Sequence, residues 1–514
     1  MKSSKSRLYN SIKNSFAGSL SQGLMIILGF VSQTIFIKTL GATYLGVKGL
    51  FTNILTVLSF TDLGIGTAFT FSFYKPLAEK DEQLIAQIMY LFKKIYEYVG
   101  IIIGIIGVAI IPSIHFFTHV HIRHLYIYYL LFLLNTVLSY FFTYKRTLLD
   151  ADQLSYINYV NQLIFKIIQI GLQCIVLLIF KSFILFLVIQ IITNLLSNII
   201  ISINVDKKYS FLNQKEYLKT KLSNSKIKEI ISHAFGTIGQ KIGTIIVNNT
   251  DNMLISYFMG LATVGIYSNY VLITSSLSGV ISKGVQSIAS SIGNLNIEKK
   301  EDKDYQYKIL NRSMYVVFFC IFVISTCLMT LVNNFIRFWV GSKFEFSFII
   351  VFLLVVNFTI MAFRSVFQTF ITAYGLYVKD GKKAVVEAIF NFVFSLIYIK
   401  YCQMGVAGVI LGTITSNVLV NWYEPYIILK YGIGIKEKFV PFIFKVCMYI
   451  GMVLFSMLVA WLVINKFIIV HSFIEFLIQA IVTLGISLVM FVIIMGHGKH
   501  FNFLLGTFLK ILKR

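Results

Sequence analysis

Four cations lie deep inside apolar stretches of this 514-residue chain: Lys166, Lys241, Lys283 and Arg364. Two carboxylates, Asp62 and Glu387, lie at comparable depth, and Asn391 and Asp251 add polar groups to apolar segments of the second half. A charged side chain at mid-bilayer costs roughly 2.5–3.5 kcal/mol even on permissive insertion scales. Such residues therefore face a polar interior and are candidates for function. Their chemistry is capture of an anion: Arg holds a phosphate bidentately and Lys acts as a point charge. In the competing reading, Asp62 and Glu387 pair with some of the cations and glue helices together. That pairing leaves at least two cations without a carboxylate, which favours a cationic cavity.

The elements that position these residues are membrane spans. Hydrophobic residues make up 57% of the chain and charged residues 13%, and a bilayer-spanning helix needs about 20 apolar residues. About fourteen such stretches run from end to end. The first six are 15–37, 47–72, 86–112, 122–143, 155–180 and 182–204. The rest are 229–258, 262–291, 309–336, 346–375, 380–400, 403–429, 440–465 and 470–495. The N-terminal tail, the connections after even-numbered spans and the C-terminal tail hold 33 of the 45 Lys and Arg. The other connections hold eight: Lys38, Lys48, Arg123, Lys181, Arg337, Lys343, Lys400 and Lys466. The positive-inside rule then predicts a multi-pass protein with both termini in the cytoplasm. At 1.5 Å rise per residue, Lys166, Lys241 and Arg364 fall near mid-span. Lys283, Asp62 and Glu387 fall in the mid-to-cytoplasmic zone. Lys283 can also snorkel to the surface.

Several function classes are excluded or disfavoured on the same grounds. A net charge of +24 would suggest nucleic acid in a soluble protein, but here the charge sits where topology wants it, so no nucleic-acid partner is expected. The longest polar connection, 205–228, is Lys-rich and has too little apolar surface for a core. The first apolar run is too long for a signal sequence and reads as a retained span. The five Cys have no metal-type spacing. His115, His119, His121 and His124 cluster near Arg123 and read as polar loop residues, and Asn248 to Asn252 as a hydrogen-bonded outer helix end. No metal site or cofactor is expected. Outer connections of about a dozen residues or fewer, without a nucleophile–base pair, argue for a transporter over an enzyme. Gly100, Gly104 and Gly107, and likewise Gly236, Gly239 and Gly243, form small-residue stripes that predict close helix packing.

Gly41-Ala-Thr-Tyr-Leu-Gly46 between the first two spans matches Gly260-Leu-Ala-Thr-Val-Gly265 between spans seven and eight. The offset is close to six spans and points to a duplication. An even-numbered repeat keeps its orientation, so the halves are related about an axis along the membrane normal. With Asn14-Ser-Phe16, Phe60-Thr-Asp-Leu-Gly-Ile-Gly66, Asn249-Thr-Asp-Asn-Met-Leu-Ile-Ser256, Val264-Gly-Ile-Tyr-Ser-Asn-Tyr270 and Phe338-Trp-Val-Gly341, the chain resembles the polysaccharide-transport flippases of the MOP (MATE-like) exporter superfamily, the Wzx-type carriers. The resemblance implies an all-α polytopic membrane protein of about 14 transmembrane helices. Two six-helix lobes are related by pseudo-two-fold symmetry, with two further C-terminal helices and alternating access. The boundaries are then 1–204 for the first lobe, 205–228 for a linker, 229–430 for the second lobe and 431–514 for the added helices and basic tail.

It further implies translocation of polyprenyl-diphosphate-linked oligosaccharide across a bacterial plasma membrane, driven by Na⁺, H⁺ or the membrane potential. Membrane lipids, and the polymerase and glycosyltransferases of the same pathway, are the implied partners. Some relatives bind Na⁺ with acidic and amide groups on spans seven and eleven. Glu387 and Asn391 share a face of span eleven at i, i+4, whereas Asp251 lies too far outward to join them. The alternatives are a MATE-type exporter of organic cations, which the surplus of Lys and Arg argues against, and a membrane enzyme acting on lipid-linked sugars.

Overall fold

A computed structural model describes residues 4–59, 65–118, 122–214, 222–228, 249–286, 302–467 and 470–496, with the single positions 217, 230, 501 and 506. All elements among them are helical. The long helices are α1 (Ser4–Leu58), α2 (Ile65–Glu79), α3 (Glu82–Ala109), α4 (Leu125–Ala151), α5 (Ser155–Phe180), α6 (Phe183–Lys208) and α7 (Leu261–Gln286). They continue with α8 (Lys303–Trp339), α9 (Phe348–Ala373), α10 (Tyr377–Lys400), α11 (Gly405–Val420), the short α12 (Tyr423–Ile427), α13 (Phe439–Phe467) and α14 (Phe473–Met495). Ten helices among the described residues are long and apolar enough to cross a membrane. The number is eleven if Glu82–Ala109 and Ile111–Phe117, bent by 59°, are one span. The fourteen expected spans differ from this for local reasons. Most of span seven lies outside the described residues. Span two is divided between the end of α1 and α2, and α10 carries too many charges to pass on composition.

The chain divides into two compact units, Met1–Ser268 and Asn269–Arg514. In unit 1, α1 packs on α5, and α4 packs on both α3 and α6. The stripe on α3 faces α4: a Cβ at Gly100 would lie 3.2 Å from Tyr140, and one at Gly107 would overlap Leu133. The Tyr129 hydroxyl donates to the Gly107 carbonyl at 3.0 Å. Gly236, Gly239 and Gly243 lie outside the described residues. The two matching turns meet inside unit 1. Gly41 (φ 82°) and Gly260 (φ 87°) each take a left-handed conformation that reverses the chain. Beyond them, a Cβ at Gly46 would overlap the Leu261 carbonyl, and a Cβ at Gly265 would overlap the Ala42 carbonyl. The contact is reciprocal, as a two-fold relation between the motifs requires.

In unit 2, α8 is the hub against which α9, α13 and α14 pack. Short polar bonds tie it to each: Ser325 to Thr359 at 2.9 Å, Thr326 to Ser456 at 2.8 Å, and Asn334 to Gln479 at 2.9 Å. In an apolar solvent there is no hydrophobic drive between helices, so such bonds, at about 0.6 kcal/mol each, and close packing hold the bundle. α10 and α11 form a tight hairpin because Gly408 and Gly412 allow Tyr398 and Ser395 to sit against the backbone.

Candidate functional site: two kinds of cation in the bundle

Unit 2 contains a buried ionic network built by four helices, α9 to α12. α9 supplies Arg364 and Gln368. α10 supplies Asp380, Lys383 and Glu387, spaced three and four apart so that they share one face. Asn417 at the end of α11, Asn421 and Glu424 form a second stripe at i, i+4 and i+7. Arg364 is bidentate on Glu387, with Nη1 at 2.6 Å from Oε1 and Nη2 at 2.9 Å from Oε2. Its Nε donates to Glu424 at 2.7 Å. Lys383 contacts Glu424, lies 3.1 Å from Glu387 and 3.5 Å from Asp380, and donates to Asn421 at 2.8 Å. Gln368 donates to the same Glu424 Oε1 at 2.7 Å. The carboxylates are at most 1% exposed. Three carboxylates thus face two cations. Glu424 Oε1 takes all the bonds to that side chain, and its Oε2 is buried without a hydrogen-bond partner among the described residues.

Unit 1 holds its cations differently. Lys48, on α1, points its ammonium over the rings of Phe36 and Phe186, 5.4 and 5.6 Å from their centroids. Lys166, on α5, donates to Gln169 at 3.3 Å. Gln169 donates to Gln173 at 3.3 Å, and Gln173 donates to the Phe186 carbonyl at 3.0 Å. The Lys48 and Lys166 charges lie within electrostatic reach of each other. Arg146, on α4, donates to Asn161 at 3.0 Å, Ser197 at 2.9 Å and Asn198 at 3.1 Å. Its Nη1 is buried without a partner among the described residues. No described carboxylate lies within ion-pair distance of these three cations, although Lys145 next door pairs with Asp206 at 2.6 Å.

The sequence-derived candidates are distributed as follows. Lys166 lies in unit 1 and meets Lys48, which a topology count assigns to an outer connection. Arg364, Glu387 and Asn391 lie in unit 2. Arg364 is ion-paired with Glu387, and Asn391 donates to Thr413 at 2.8 Å. Lys283 is exposed in the last turn of α7. Asp251 is buried in unit 1 and accepts from the Tyr267 hydroxyl. Asp62 and Lys241 lie outside the described residues, as do His119, His121 and Asn248. His115 packs edge-on against Tyr126, with centroids 5.1 Å apart. No group of three His, Cys, Asp or Glu among the described residues is arranged to hold a metal ion.

Sequence reasoning missed Asp380, Lys383, Glu424, Lys48 and Arg146. All five sit near span ends, where a charge counts as a loop charge. The usable signal was helical spacing: 380, 383, 387 and 391 share a face, as do 417, 421 and 424.

Among the described residues, one site provides cations without ion-paired carboxylates, and the other an acid-rich ionic network. The fold is shared with known transporters. The structure is similar to one described as lipid II flippase MurJ in an inward closed conformation. The TM-score is 0.66 at 16% identity, covering 94% of this chain and 98% of that one. It is also similar to an inward-facing multidrug resistance MATE family transporter of the MOP superfamily. There the TM-score is 0.57 at 13% identity, covering 80% of this chain and 96% of that one. A MOP superfamily transporter from Pyrococcus furiosus, whose binding pocket is described as having reverse polarity, gives 0.54 at 13% identity, covering 81% and 93%. No curated protein matches the sequence. The family model for polysaccharide biosynthesis proteins matches residues 11–289. With more than half its length inside that model and the helical fold shared by MurJ and MATE transporters, this multi-pass membrane protein belongs to the polysaccharide biosynthesis protein family.

Proposed function

We propose that the protein flips polyprenyl-diphosphate-linked oligosaccharide from the cytoplasmic to the outer leaflet of a bacterial plasma membrane by alternating access. The observation that carries this reading is the set of half-buried cations in unit 1, Lys48, Lys166 and Arg146, held on rings, amides and a hydroxyl with no ion-paired carboxylate among the described residues. An uncompensated buried cation is costly, and an anionic head group relieves that cost while bound. A diphosphate suits it better than an organic cation, which the same field repels. Of the cations singled out in the sequence, Lys166 belongs to this set, whereas Arg364 is already ion-paired with Glu387 and Glu424.

The prenyl chain has a matching surface. A cavity of about 300 Å³ between α9, α11 and α13 is almost wholly apolar, lined by Phe363, Phe367, Val446 and Ile450, and Arg364 stands at its wall. The chain rests there or in the bilayer while the head group crosses. Export of negative charge is favoured by an inside-negative potential, at about 2.3 kcal/mol per charge per 100 mV. The coupling ion acts at the network of Arg364, Lys383, Asp380, Glu387 and Glu424, where three carboxylates face two cations.

The test is translocation of a fluorescent polyprenyl-diphosphate oligosaccharide in proteoliposomes, with and without an imposed inside-negative potential. Protein-dependent movement accelerated by the potential is the expected result. Export of a lipophilic cation in the same vesicles, with the lipid left in place, would sink the proposal.

A further inference from the structure

A second cavity of about 300 Å³ lies inside unit 1, between α1, α4 and α6. Its walls carry Thr52 and Thr56 from α1, Asn135, Ser139 and Thr143 from α4, and Gln190 from α6. None of its lining residues is charged, and most bear a hydroxyl or an amide. The cation sites of unit 1 carry charge, whereas this cavity is polar and uncharged.

The bonding of these groups says what they have left to offer. The hydroxyls of Thr56, Ser139 and Thr143 each donate to a carbonyl one turn back in their own helix, all at 2.7 Å. Their protons are spent, and their lone pairs remain as acceptors. Asn135 Oδ1 accepts from the Asn194 side chain at 2.9 Å, which leaves the two amide protons of Asn135. The Gln190 amide brings both a donor and an acceptor. The cavity thus presents many neutral acceptors and a few donors.

Three ligand classes can be compared on that ground. A hydrocarbon chain would leave the Asn135 amide protons and the Gln190 amide without a partner, at about 1–3 kcal/mol for each group buried and unpaired. A phosphate is acceptor-only and meets the hydroxyl lone pairs with its own. A sugar carries hydroxyls that both donate and accept and matches the lining. The cations flank this cavity without lining it. Arg146 lies one turn past Thr143 on α4, bound to Ser197 and Asn198 of α6, and Lys48 lies one turn before Thr52 on α1.

We propose that this cavity is a glycan subsite, seating the sugar next to the diphosphate of the substrate while Arg146 and Lys48 hold charge beside it. The inference rests on the flippase reading above and adds to it a division of labour: charge is read by the flanking cations and sugar by an uncharged pocket.

The experiment is equilibrium binding of two radiolabelled lipids to the full-length protein in nanodiscs. One is a bare polyprenyl diphosphate, and the other is the same lipid carrying an N-acetylhexosamine disaccharide. Wild type is expected to bind the sugar-bearing lipid more tightly than the bare one. Gln190→Leu and the near-isosteric Thr56→Val should each weaken the sugar-bearing lipid by about five-fold, the worth of one hydrogen bond near 1 kcal/mol. Bare-lipid binding should stay within about two-fold, well short of one lost hydrogen bond, and doubles as the check on folding. Equal losses for both lipids, or no loss for either, would overturn the subsite. If wild type binds bare lipid and gains nothing from the sugar, the subsite falls and the diphosphate reading stands. If wild type binds neither lipid, both fall.

Discussion

Lys48, Lys166 and Arg146 in unit 1 and Arg364 and Lys383 in unit 2 are all cations within a helical bundle, yet they are stabilised in opposite ways. In unit 1 the partners are the rings of Phe36 and Phe186, the amides of Gln169, Asn161 and Asn198, and the hydroxyl of Ser197. Aromatic faces contribute about 0.5–2 kcal/mol to a cation and leave its charge unneutralised. In unit 2 the partners are Asp380, Glu387 and Glu424, which more than cancel the charge. The first arrangement keeps a positive field available to a ligand. The second uses the field to join α9, α10 and α12, and leaves one carboxylate more than the cations present. Both begin from a Lys or Arg in an apolar helix, so the role of a buried cation is set by what surrounds it.

That contrast can be broken by substitution. The largest effect is expected from Arg364→Ala. It strands Glu387 and Glu424 without their principal donor, and breaking a buried pair from one side costs about 3–5 kcal/mol. Thermal unfolding in detergent should show a large fall, and Arg364→Met with Glu387→Leu should recover much of it. If Arg364→Ala unfolds like wild type but fails to transport, Arg364 belongs with the substrate contacts and the contrast dissolves.

Lys166→Met should do the reverse. Removing a half-buried charge that has no ion partner among the described residues should leave stability unchanged or raise it by about 1 kcal/mol, since the insertion cost of the charge disappears. Lipid translocation should fall at least ten-fold, as the initial rate in proteoliposomes would show. Loss of fold with Lys166→Met would mean that Gln169 and the neighbouring charge are structural.

The smallest effect sharpens the comparison within unit 2. Arg337 and Glu345 are bidentate at 2.7 and 3.0 Å, but the Arg337 side chain is 46% exposed. Solvent screening limits such a pair to about 0.2–1 kcal/mol, so Glu345→Gln should barely move the unfolding temperature. A shift as large as that of Arg364→Ala would show that burial is not what separates the two pairs.

How much of this was legible depends on dimension. Depth along a helix is one-dimensional, and the apolar runs placed Arg364, Glu387 and Lys166 inside the bundle. Which side chains turn toward one another is not. Asp380 and Lys383 read as a polar turn before span eleven, because charge density ends an apolar run on any hydropathy scale. In the folded chain α10 begins at Tyr377, and both residues are buried because Glu424 and Gln368 arrive from other helices. Lys48 was counted outside the membrane for the same reason, and the rings that hold it come from Phe36 and, far along the chain, Phe186.

The sequence by itself determined the solvent of this protein and the class of its fold. Long apolar runs with alternating positive connections fit a helical membrane bundle, since only helices satisfy every backbone group inside the same run. It also determined the paired glycine turns, because a left-handed Gly followed five residues later by a second Gly is a local requirement in each copy. The tertiary structure decided which cations are neutralised, which glycines allow carbonyls to approach, and which hydroxyls gather around a cavity. Those outcomes follow from the rotation of each helix about its axis and the neighbour that each face meets, and both arise from packing across hundreds of residues.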